Sequence, residues 1–264
     1  MSMLYTANGT SLAAGGSPSF ELVNTAAGVA SMADELLDLP ISPPSIYVDL
    51  EGENLSRMGT VSILQVYASS KKHTYIVDVR LLGAQAFQTN GAKGVSLRHI
   101  LESPAIPKVF FDVRNDSDAL YSHFRVNLDG VHDLQLMELA TRSFNRRTVS
   151  GLGKCIEKDA LLSSADLAVF KQTKEQGVRL FDPNLGGSYA VFNQRPLSQA
   201  ILDYCVQDVE YLPRLWNIYN SKMSAVWRQR VLLEGKERVR SSQSPIFNGK
   251  GRHMALAPTQ WAAY

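Results

Sequence analysis

Hydrophobic residues follow two different periods along this chain. Up to about residue 113, β-branched and apolar residues form short runs separated by polar turns, which is typical of strands. Beyond that point, apolar residues mostly recur every three to four positions, as they do in helices packed on a core. The change of period predicts an α/β fold in which a strand-rich first part is covered by helices from the second part.

The order of the predicted elements indicates how the strands pair. Three early strands are close enough in sequence to form an antiparallel meander. Two later strands alternate with helices, which predicts a mixed sheet with helices packed on it. The predicted elements are a helix over 24–37, strands over 45–50, 61–68 and 73–79, a polar connection over 85–94, the end of a helix over 96–102, a strand over 108–113, a helix over 116–125, a strand over 131–136, a loop over 177–192 and a long helix over 197–233 with a kink at Pro213.

Length and composition fit one sizeable domain with short flanking segments. The chain has 264 residues, of which 45% are hydrophobic. Residues 1–18 are small and polar and are predicted to form a flexible leader, and residues 19–235 are predicted to form the domain. Residues 236–264 are predicted to be a basic tail, containing proline and glycine, that lies extended over the surface.

Charge is distributed unevenly, although the formal net charge is only +2. Residues 1–56 contain no lysine or arginine, whereas residues 222–252 contain eight of them against two glutamates. A basic end of this kind fits a polyanionic partner, but the solvated faces of ordinary helices have the same composition.

Composition excludes several classes of protein. Two cysteines, Cys155 and Cys205, are too few for a disulfide scaffold or a cysteine-based zinc site. No run approaches 18 consecutive apolar residues, and the N-terminal segment lacks the basic residues of a signal peptide. We therefore expect an intracellular protein with reduced thiols and no membrane partner.

A pair of carboxylates ends the first strand of the predicted meander. Asp49 and Glu51 are two positions apart in a β-branched run that stops at Gly52, so both side chains lie on one face of the strand. Buried carboxylates are costly unless they are paired or bound to a metal ion. Two divalent ions held by such groups activate water for the hydrolysis of a phosphodiester, and Mg²⁺ and Mn²⁺ prefer these oxygen ligands. Acidic pairs are nevertheless common at strand ends.

Two further groups of residues supply candidate acids. A buried strand over 108–113 leads into a helix that starts with several aspartates, and Asp112, Asp116 and Asp118 compete for one role, while an N-cap is the alternative. Tyr204 and Asp208 lie one turn apart on the same face of a helix. A tyrosine hydroxyl there can orient an attacking water, or its ring can simply pack in the core.

Together these motifs resemble the DEDD superfamily of 3′–5′ exonucleases. The resemblance is to the subgroup with a Tyr-x-x-x-Asp motif, as in ribonuclease D and the Werner exonuclease domain, and within it to single-domain proteins of fungal type. It covers residues 45–220, from the first motif around Asp49 and Glu51, through the lysine-led strand at Lys108, to the third motif at Tyr204. Alignment on Lys108 places the second-motif acid at Asp116, although Asp118 is two residues away.

The resemblance implies a ribonuclease H-like fold with a mixed five-stranded sheet flanked by helices. It also implies the stepwise release of nucleoside 5′-monophosphates from 3′ ends of single-stranded RNA or DNA. Asp49, Glu51 and Asp208 would surround one Mg²⁺ or Mn²⁺ ion, and Asp116 would reach a second ion bridged by Asp49. Tyr204 would position the nucleophilic water.

Residues near these acids in sequence are candidates for contacts to substrate. Apolar side chains would form a wall for the terminal base, a glycine backbone would meet the 3′-hydroxyl, and arginines from a loop would follow the phosphates. These candidates are Leu50, Met58 and Phe111, Gly52, and Arg146 and Arg147. The alternative function is a catalytically silent nucleic-acid-binding scaffold with the same fold.

Overall fold

The computed structural model describes residues 19–143 and 145–261, and the predicted leader lies outside these ranges. The sheet that organises the described residues is formed by segments rich in β-branched and apolar residues. Its strands are β1 (Ser19–Val23), β2 (Ile46–Glu51), β3 (Ile63–Ala68), β4 (His73–Val77), β5 (Lys108–Phe110) and β6 (Val131–Asp133).

The helices that flank the sheet lie between these strands and after the last of them. Five of them belong to the first half of the chain: α1 (Ala26–Leu37), α2 (Val79–Leu82), α3 (Gln85–Gln88), α4 (Leu97–Glu102) and α5 (Arg114–Phe124). The later ones are α6 (Leu134–Thr141), α7 (Leu152–Asp159), α8 (Ser164–Phe181), α9 (Gln199–Glu210), α10 (Leu212–Lys222) and α11 (Ala225–Ser242). No helix in the described ranges combines the length and apolar character needed to span a bilayer.

The sheet has the order β1-β4-β3-β2-β5-β6 and is mixed. β2, β3 and β4 pair antiparallel, as the meander predicted, whereas β5 and β6 extend the sheet in parallel from β2. The predicted ribonuclease H-like α/β class is therefore confirmed. The number of strands differs, because β1 adds a sixth strand in parallel beside β4.

The sixth strand, β1, was not predicted because its side chains lack the alternating pattern of a strand. Within β1 only Val23 is buried, and the other side chains are exposed or partly exposed at the edge of the sheet. Without an alternating apolar pattern, nothing local in Ser19–Val23 distinguishes a strand from a polar lead-in to α1. The segment forms a strand because it pairs with β4, which lies about 50 residues further along the chain.

Alternation along β2 sends its side chains to two different layers. Val48 and Leu50 belong to the core formed with α1, α4 and α5. Tyr47 belongs to the second core, on the other face, together with residues of α6, α7 and α10. Asp49 and Glu51 share the face of Tyr47 because side chains two positions apart point the same way.

Three predicted elements differ from the structure for local reasons. The strand predicted over 131–136 ends at Asp133, whose side chain accepts hydrogen bonds from Gln135 and Leu136 and so caps α6. The loop predicted over 177–192 is helical at its start, because α8 continues to Phe181. The long helix predicted over 197–233 is three helices, and Pro213 lies in the first turn of α10, where its missing N–H is tolerated.

The predicted basic tail is also partly helical. Helix α11 runs across the predicted boundary between residues 235 and 236 and ends at Ser242. The described residues beyond it, 243–261, contain two 3₁₀ turns, Arg252–Ala255 and Thr259–Trp261, and an isolated antiparallel bridge between Leu256 and Thr148. Trp261 is buried, which shows that this segment packs on the domain.

Candidate active site

Three carboxylates from two elements converge on one point. Asp49 and Glu51 project from β2, and Asp208 projects from α9, which packs on the same face of the sheet. One oxygen of each carboxylate lies within 4.8 Å of the others. Residues about 160 positions apart in sequence therefore form a compact acidic cluster, as the motifs predicted.

The proximity of these acids disfavours their ionised forms. Removal from solvent, followed by the charge of Asp208, raises the pKa of Asp49 to about 7. The same two effects, desolvation and then the charges of Asp49 and Asp208, raise the pKa of Glu51 well above its usual value. Strong shifts of this kind mark a site where opposite charge is required.

Lys174 provides part of that opposite charge. Its Nζ on α8 donates to both oxygens of Asp208, at 2.8 and 2.7 Å, and to the hydroxyl of Tyr204 at 3.1 Å. The positive charge of Lys174 opposes the rise in the pKa of Asp49 and of Glu51. This residue was not predicted, because in sequence it is one lysine among the charged residues of α8.

Tyr204 is held at the cluster by packing as well as by hydrogen bonding. Its ring meets Phe181 edge to face, with the ring centres 5.1 Å apart, and lies against α8 at Gly177. A Cβ atom on Gly177 would come within 2.4 Å of the ring carbon Cδ2 of Tyr204, so the glycine lets α8 approach α9 closely. Desolvation and the neighbouring Asp208 raise the pKa of Tyr204 well above its usual value, which keeps the hydroxyl protonated.

The structure distinguishes the three aspartates that compete in the second motif. Asp118 receives two hydrogen bonds from Arg57, from its backbone N–H at 2.8 Å and its Nε at 2.6 Å. Both oxygens of Asp112 accept from Arg114 at 2.6 Å. Burial and then the charge of Asp49 raise the pKa of Asp116 well above its usual value. Asp112 and Asp118 are thus held by arginines, whereas the pKa of Asp116 responds to the charge of Asp49.

One of the predicted substrate contacts is buried in the core, and another lies at a close backbone contact. The side chain of Leu50 is buried in the core on the opposite face of β2, because it alternates with Asp49 and Glu51, so the structure does not bring it to the site. Gly52 lies so close to the Thr60 carbonyl oxygen that a Cβ atom would be 2.0 Å from it. Backbone packing by itself therefore requires glycine there.

The remaining predicted contacts differ in exposure. Met58, in the connection between β2 and β3, is 89% exposed, whereas Phe111 is partly buried against the second core. The guanidinium of Arg146 donates to the Leu139 carbonyl oxygen at 3.2 Å and stacks on Trp227. Arg147 is exposed. Met58 and Arg147 are thus accessible, and Arg146 is engaged within the fold.

The donor set fits a divalent cation. Carboxylate oxygens are the hard ligands that Mg²⁺ and Mn²⁺ prefer, and three of them face one another here. Asp49, Glu51 and Asp208 are the residues that could hold such an ion.

Several known proteins are similar to this chain in sequence. The family described as 3′–5′ exonuclease matches residues 20–224. The piRNA biogenesis protein EXD1 of Mus musculus is 37% identical over 109 residues, which are 41% of this chain and 17% of that protein. The EXD1 of Homo sapiens is 30% identical over 168 residues, which are 62% of this chain and 30% of that protein. The chain thus spans less than a third of the length of these relatives.

Solved structures show the same fold at lower identity. RNase D of Trypanosoma brucei in complex with GMP has a TM-score of 0.73 and 22% identity, covering 93% of this chain and 71% of that one. The same enzyme with RNA U12 has a TM-score of 0.70 and 21% identity, covering 92% and 78%. RNase D of Escherichia coli has a TM-score of 0.54 and 16% identity, covering 86% and 51%.

The family match and the converging acids describe the same part of the molecule. Residues 20–224 contain β2, α5 and α9, and with them every acid of the three predicted motifs. From the extent of this match we conclude that the chain belongs to the 3′–5′ exonuclease family.

Proposed function

We propose that this protein is a metal-dependent exonuclease that shortens single-stranded nucleic acid from its 3′ end and releases nucleoside 5′-monophosphates. The observation that carries the proposal is the convergence of Asp49, Glu51 and Asp208 within 4.8 Å. RNA is the favoured substrate, because the related T. brucei RNase D structures are complexes with GMP and with RNA U12. DNA is an alternative substrate that the same chemistry allows.

The proposed reaction is the attack of a water oxygen on the last phosphodiester. A bond forms between the water oxygen and phosphorus, and the attacking water loses a proton to solvent. The bond between phosphorus and the 3′-oxygen of the preceding nucleotide breaks, and this 3′-oxygen gains a proton from solvent. Divalent ions, when bound, supply charge neutralisation at the phosphate and lower the pKa of water. Asp49, Glu51, Asp116 and Asp208 are the residues that would hold them.

Tyr204 and Lys174 would position the water and the phosphate around this site. The Tyr204 oxygen accepts from Lys174, and its own O–H, which interacts with Asp208 in the metal-free site, would turn to donate to the attacking water. Lys174 can move its ammonium from Asp208 to a phosphate oxygen, since its side chain is 27% exposed and flexible. Both groups would thus orient reactants rather than exchange protons with them.

A second candidate function has one observation in its favour. Lys174 already hydrogen-bonds both oxygens of Asp208, so this carboxylate is satisfied without a metal ion. A scaffold that binds nucleic acid and does not cleave it would use the same fold with that ion pair left intact. Activity measurements separate the two functions.

The test is hydrolysis of 5′-labelled RNA and DNA oligonucleotides with Mg²⁺ or Mn²⁺, with EDTA as the blank. We expect a ladder of products shortened one nucleotide at a time, and a loss of rate of at least about 100-fold in Asp208→Asn. Asp203→Asn is the matched control, because Asp203 is an exposed acid on the same helix. Full activity in Asp208→Asn, or no cleavage by the wild type under any of these conditions, would refute the proposal.

A further inference from the structure

The connection that carries Met58 is tied to the segment that follows α11. Arg57 donates from Nη2 to the carbonyl oxygens of Ser242 and Ser244, at 2.7 and 2.8 Å, and from Nη1 to that of Pro245 at 3.2 Å. The guanidinium also lies 5.9 Å from the ring centre of Phe247. Since Arg57 pairs with Asp118 as well, one side chain joins the β2–β3 connection, α5 and the C-terminal segment.

The same segment then passes the start of α5, next to Asp116. A Cβ atom on Gly249 would come within 2.0 Å of Asn115 Oδ1, so the backbone of Gly249 lies directly against the Asn115 side chain. Further along, Arg114 donates to the carbonyl oxygen of Met254 at 2.7 Å. Residues 246–254 therefore run beside the helix turn that presents Asp116.

Two exposed cations lie in this segment. Lys250 and Arg252 are exposed, and no ion pair among residues 19–143 and 145–261 involves either of them. The backbone of Arg147, another exposed cation, meets the same C-terminal segment, because its carbonyl oxygen accepts from the N–H of Ala257 at 3.0 Å. Exposed arginine and lysine side chains close together in one segment suit the phosphates of a strand.

Exposed apolar side chains accompany these cations. Ile246 is 91% exposed and Met58 is 89% exposed, both beside the anchoring residue Arg57. Such side chains, with the partly buried ring of Phe247, offer surfaces against which unpaired bases can pack. A strand of nucleic acid requires both features, apolar surface for bases and cations for phosphates.

We propose that residues 246–252 form a binding track for the nucleotides upstream of the 3′-terminal one. Ile246 and Phe247, with Met58, would pack against bases, while Lys250 and Arg252 would contact phosphates. This inference rests on the proposed function, because the track leads away from the acidic cluster through Asn115 and Asp116. Its occupant is single-stranded nucleic acid, which the row of cations and its continuity with the acidic cluster favour over a protein partner.

The test compares the double variant Lys250→Ala/Arg252→Ala with a matched control, both in the Asp208→Asn background that keeps substrate intact. The control is Lys72→Asn/Arg80→Ala, which removes two exposed cations near β4, where asparagine suits the left-handed backbone of Lys72. Binding of a labelled 12-nucleotide polyuridine RNA and of the dinucleotide UpU is measured over a range of salt concentrations.

We expect the dissociation constant of the 12-mer to rise about tenfold in Lys250→Ala/Arg252→Ala and to stay unchanged in the control. The slope of log affinity against log salt should flatten by about 1.4, since each lost phosphate contact of a single strand contributes about 0.7. The affinity for UpU should not change. As a second measurement, 4-thiouridine placed four nucleotides from the 3′ end should crosslink to residues 246–252.

Unchanged binding of the 12-mer would overturn the inference and leave this surface for a protein partner. An equal loss for UpU, or an equal loss in the control variant, would also overturn it. Hydrolysis by the Asp208-containing protein is scored separately. If that protein does not cleave RNA but binding of the 12-mer depends on Lys250 and Arg252, the proposed function is refuted and the proposed binding track is supported.

Discussion

At the scale of single residues, the acidic cluster depends on a lysine that no motif contains. The ammonium of Lys174 contacts both oxygens of Asp208 and the hydroxyl of Tyr204. Without such a cation, three carboxylates within 4.8 Å would oppose folding of the metal-free protein. Lys174 therefore acts as the counter-ion of the acidic cluster when no metal ion is bound.

Lys174→Met tests this role through stability. At pH 7 in EDTA, we expect the free energy of unfolding to fall by about 2 kcal/mol, because a buried carboxylate loses a partly exposed partner. Chemical denaturation measures this change. Lys171→Met, which alters a half-exposed lysine on the same helix, should have little effect. Equal stabilities of the two variants would contradict the role of Lys174 as a counter-ion.

The pKa of Asp49 predicts how stability depends on pH. In the unfolded chain its carboxyl ionises near 3.8, whereas in the folded, metal-free protein it ionises near 7. Between these values the folded state binds more protons, so this group's contribution to stability falls as pH rises from about 4 to about 7 and is constant above that. Saturating Mg²⁺ should weaken this dependence, since it favours the ionised form.

Denaturation in EDTA at pH 5 and pH 7.5 checks this prediction. Asp49→Asn should gain stability relative to the wild type, and the gain should be larger at pH 7.5. Asp203→Asn, the exposed control, should follow the wild type at both values. A gain in Asp49→Asn that does not change with pH would show that Asp49 titrates normally.

At the scale of secondary structure elements, the close approach of α8 to α9 builds the site. Gly177 lies against the ring of Tyr204, and Lys174 is three residues earlier on the same face of α8. The sequence placed Gly177 in a loop because glycine and aromatic residues are frequent from 177 to 192. Its actual role is to remove a side chain where two helices touch, and this contact joins residues far apart in sequence.

Gly177→Ala should therefore damage the site without removing any polar group. The added Cβ would meet the Tyr204 ring at 2.4 Å, so the helices must separate and shift Tyr204 and Lys174. We expect a loss of 3′-end cleavage of about 10²-fold, as for a misplacement of about 1 Å, and a destabilisation of about 1–3 kcal/mol.

Gly153→Ala is the matched control for this substitution. No atom lies within 4 Å of a Cβ placed on Gly153 in α7, and alanine should stabilise that helix by about 0.5–1 kcal/mol. Measured rates and unfolding curves compare the two variants. Wild-type activity in Gly177→Ala would contradict the importance of the close helix contact.

At the scale of the whole molecule, α11 crosses the predicted boundary of the domain and packs on it. Arg238, beyond the boundary predicted at residue 235, is buried and donates to Asp133 at 2.8 Å. The carboxylate of Asp133 also accepts from the backbone N–H groups of Asp112 and Val113, which lie between β5 and α5. We propose that the domain extends at least to Ser242.

Arg238→Ala tests this extension. Removal of one partner from a buried ion pair is expected to cost about 3–5 kcal/mol, because Asp133 keeps its charge without the guanidinium. Arg240→Ala, on the same helix but 77% exposed on its side chain, should change stability by less than about 1 kcal/mol. Thermal or chemical denaturation distinguishes them, and equal stabilities would mean that α11 is peripheral.

The sequence predicted the layers of the fold and the central acids because both follow from local patterns. Strand alternation placed Asp49 and Glu51 on one face, and helical spacing placed Tyr204 above Asp208. The edge strand β1, the counter-ion Lys174 and the arginine Arg57 were not predictable, since each owes its role to a partner distant in sequence. Leu50 was predicted to contact substrate because it lies between Asp49 and Glu51 in sequence, but alternation along the strand directs its side chain into the core on the opposite face.

The most direct test of metal binding by Asp49, Glu51 and Asp208 is a titration of the purified protein with Mn²⁺, in which calorimetry measures the heat of binding. We expect saturable binding that is lost or greatly weakened in Asp208→Asn and retained in Asp203→Asn. Absence of saturable binding up to millimolar Mn²⁺, with binding of the 12-nucleotide RNA intact, would contradict this expectation and favour the silent scaffold.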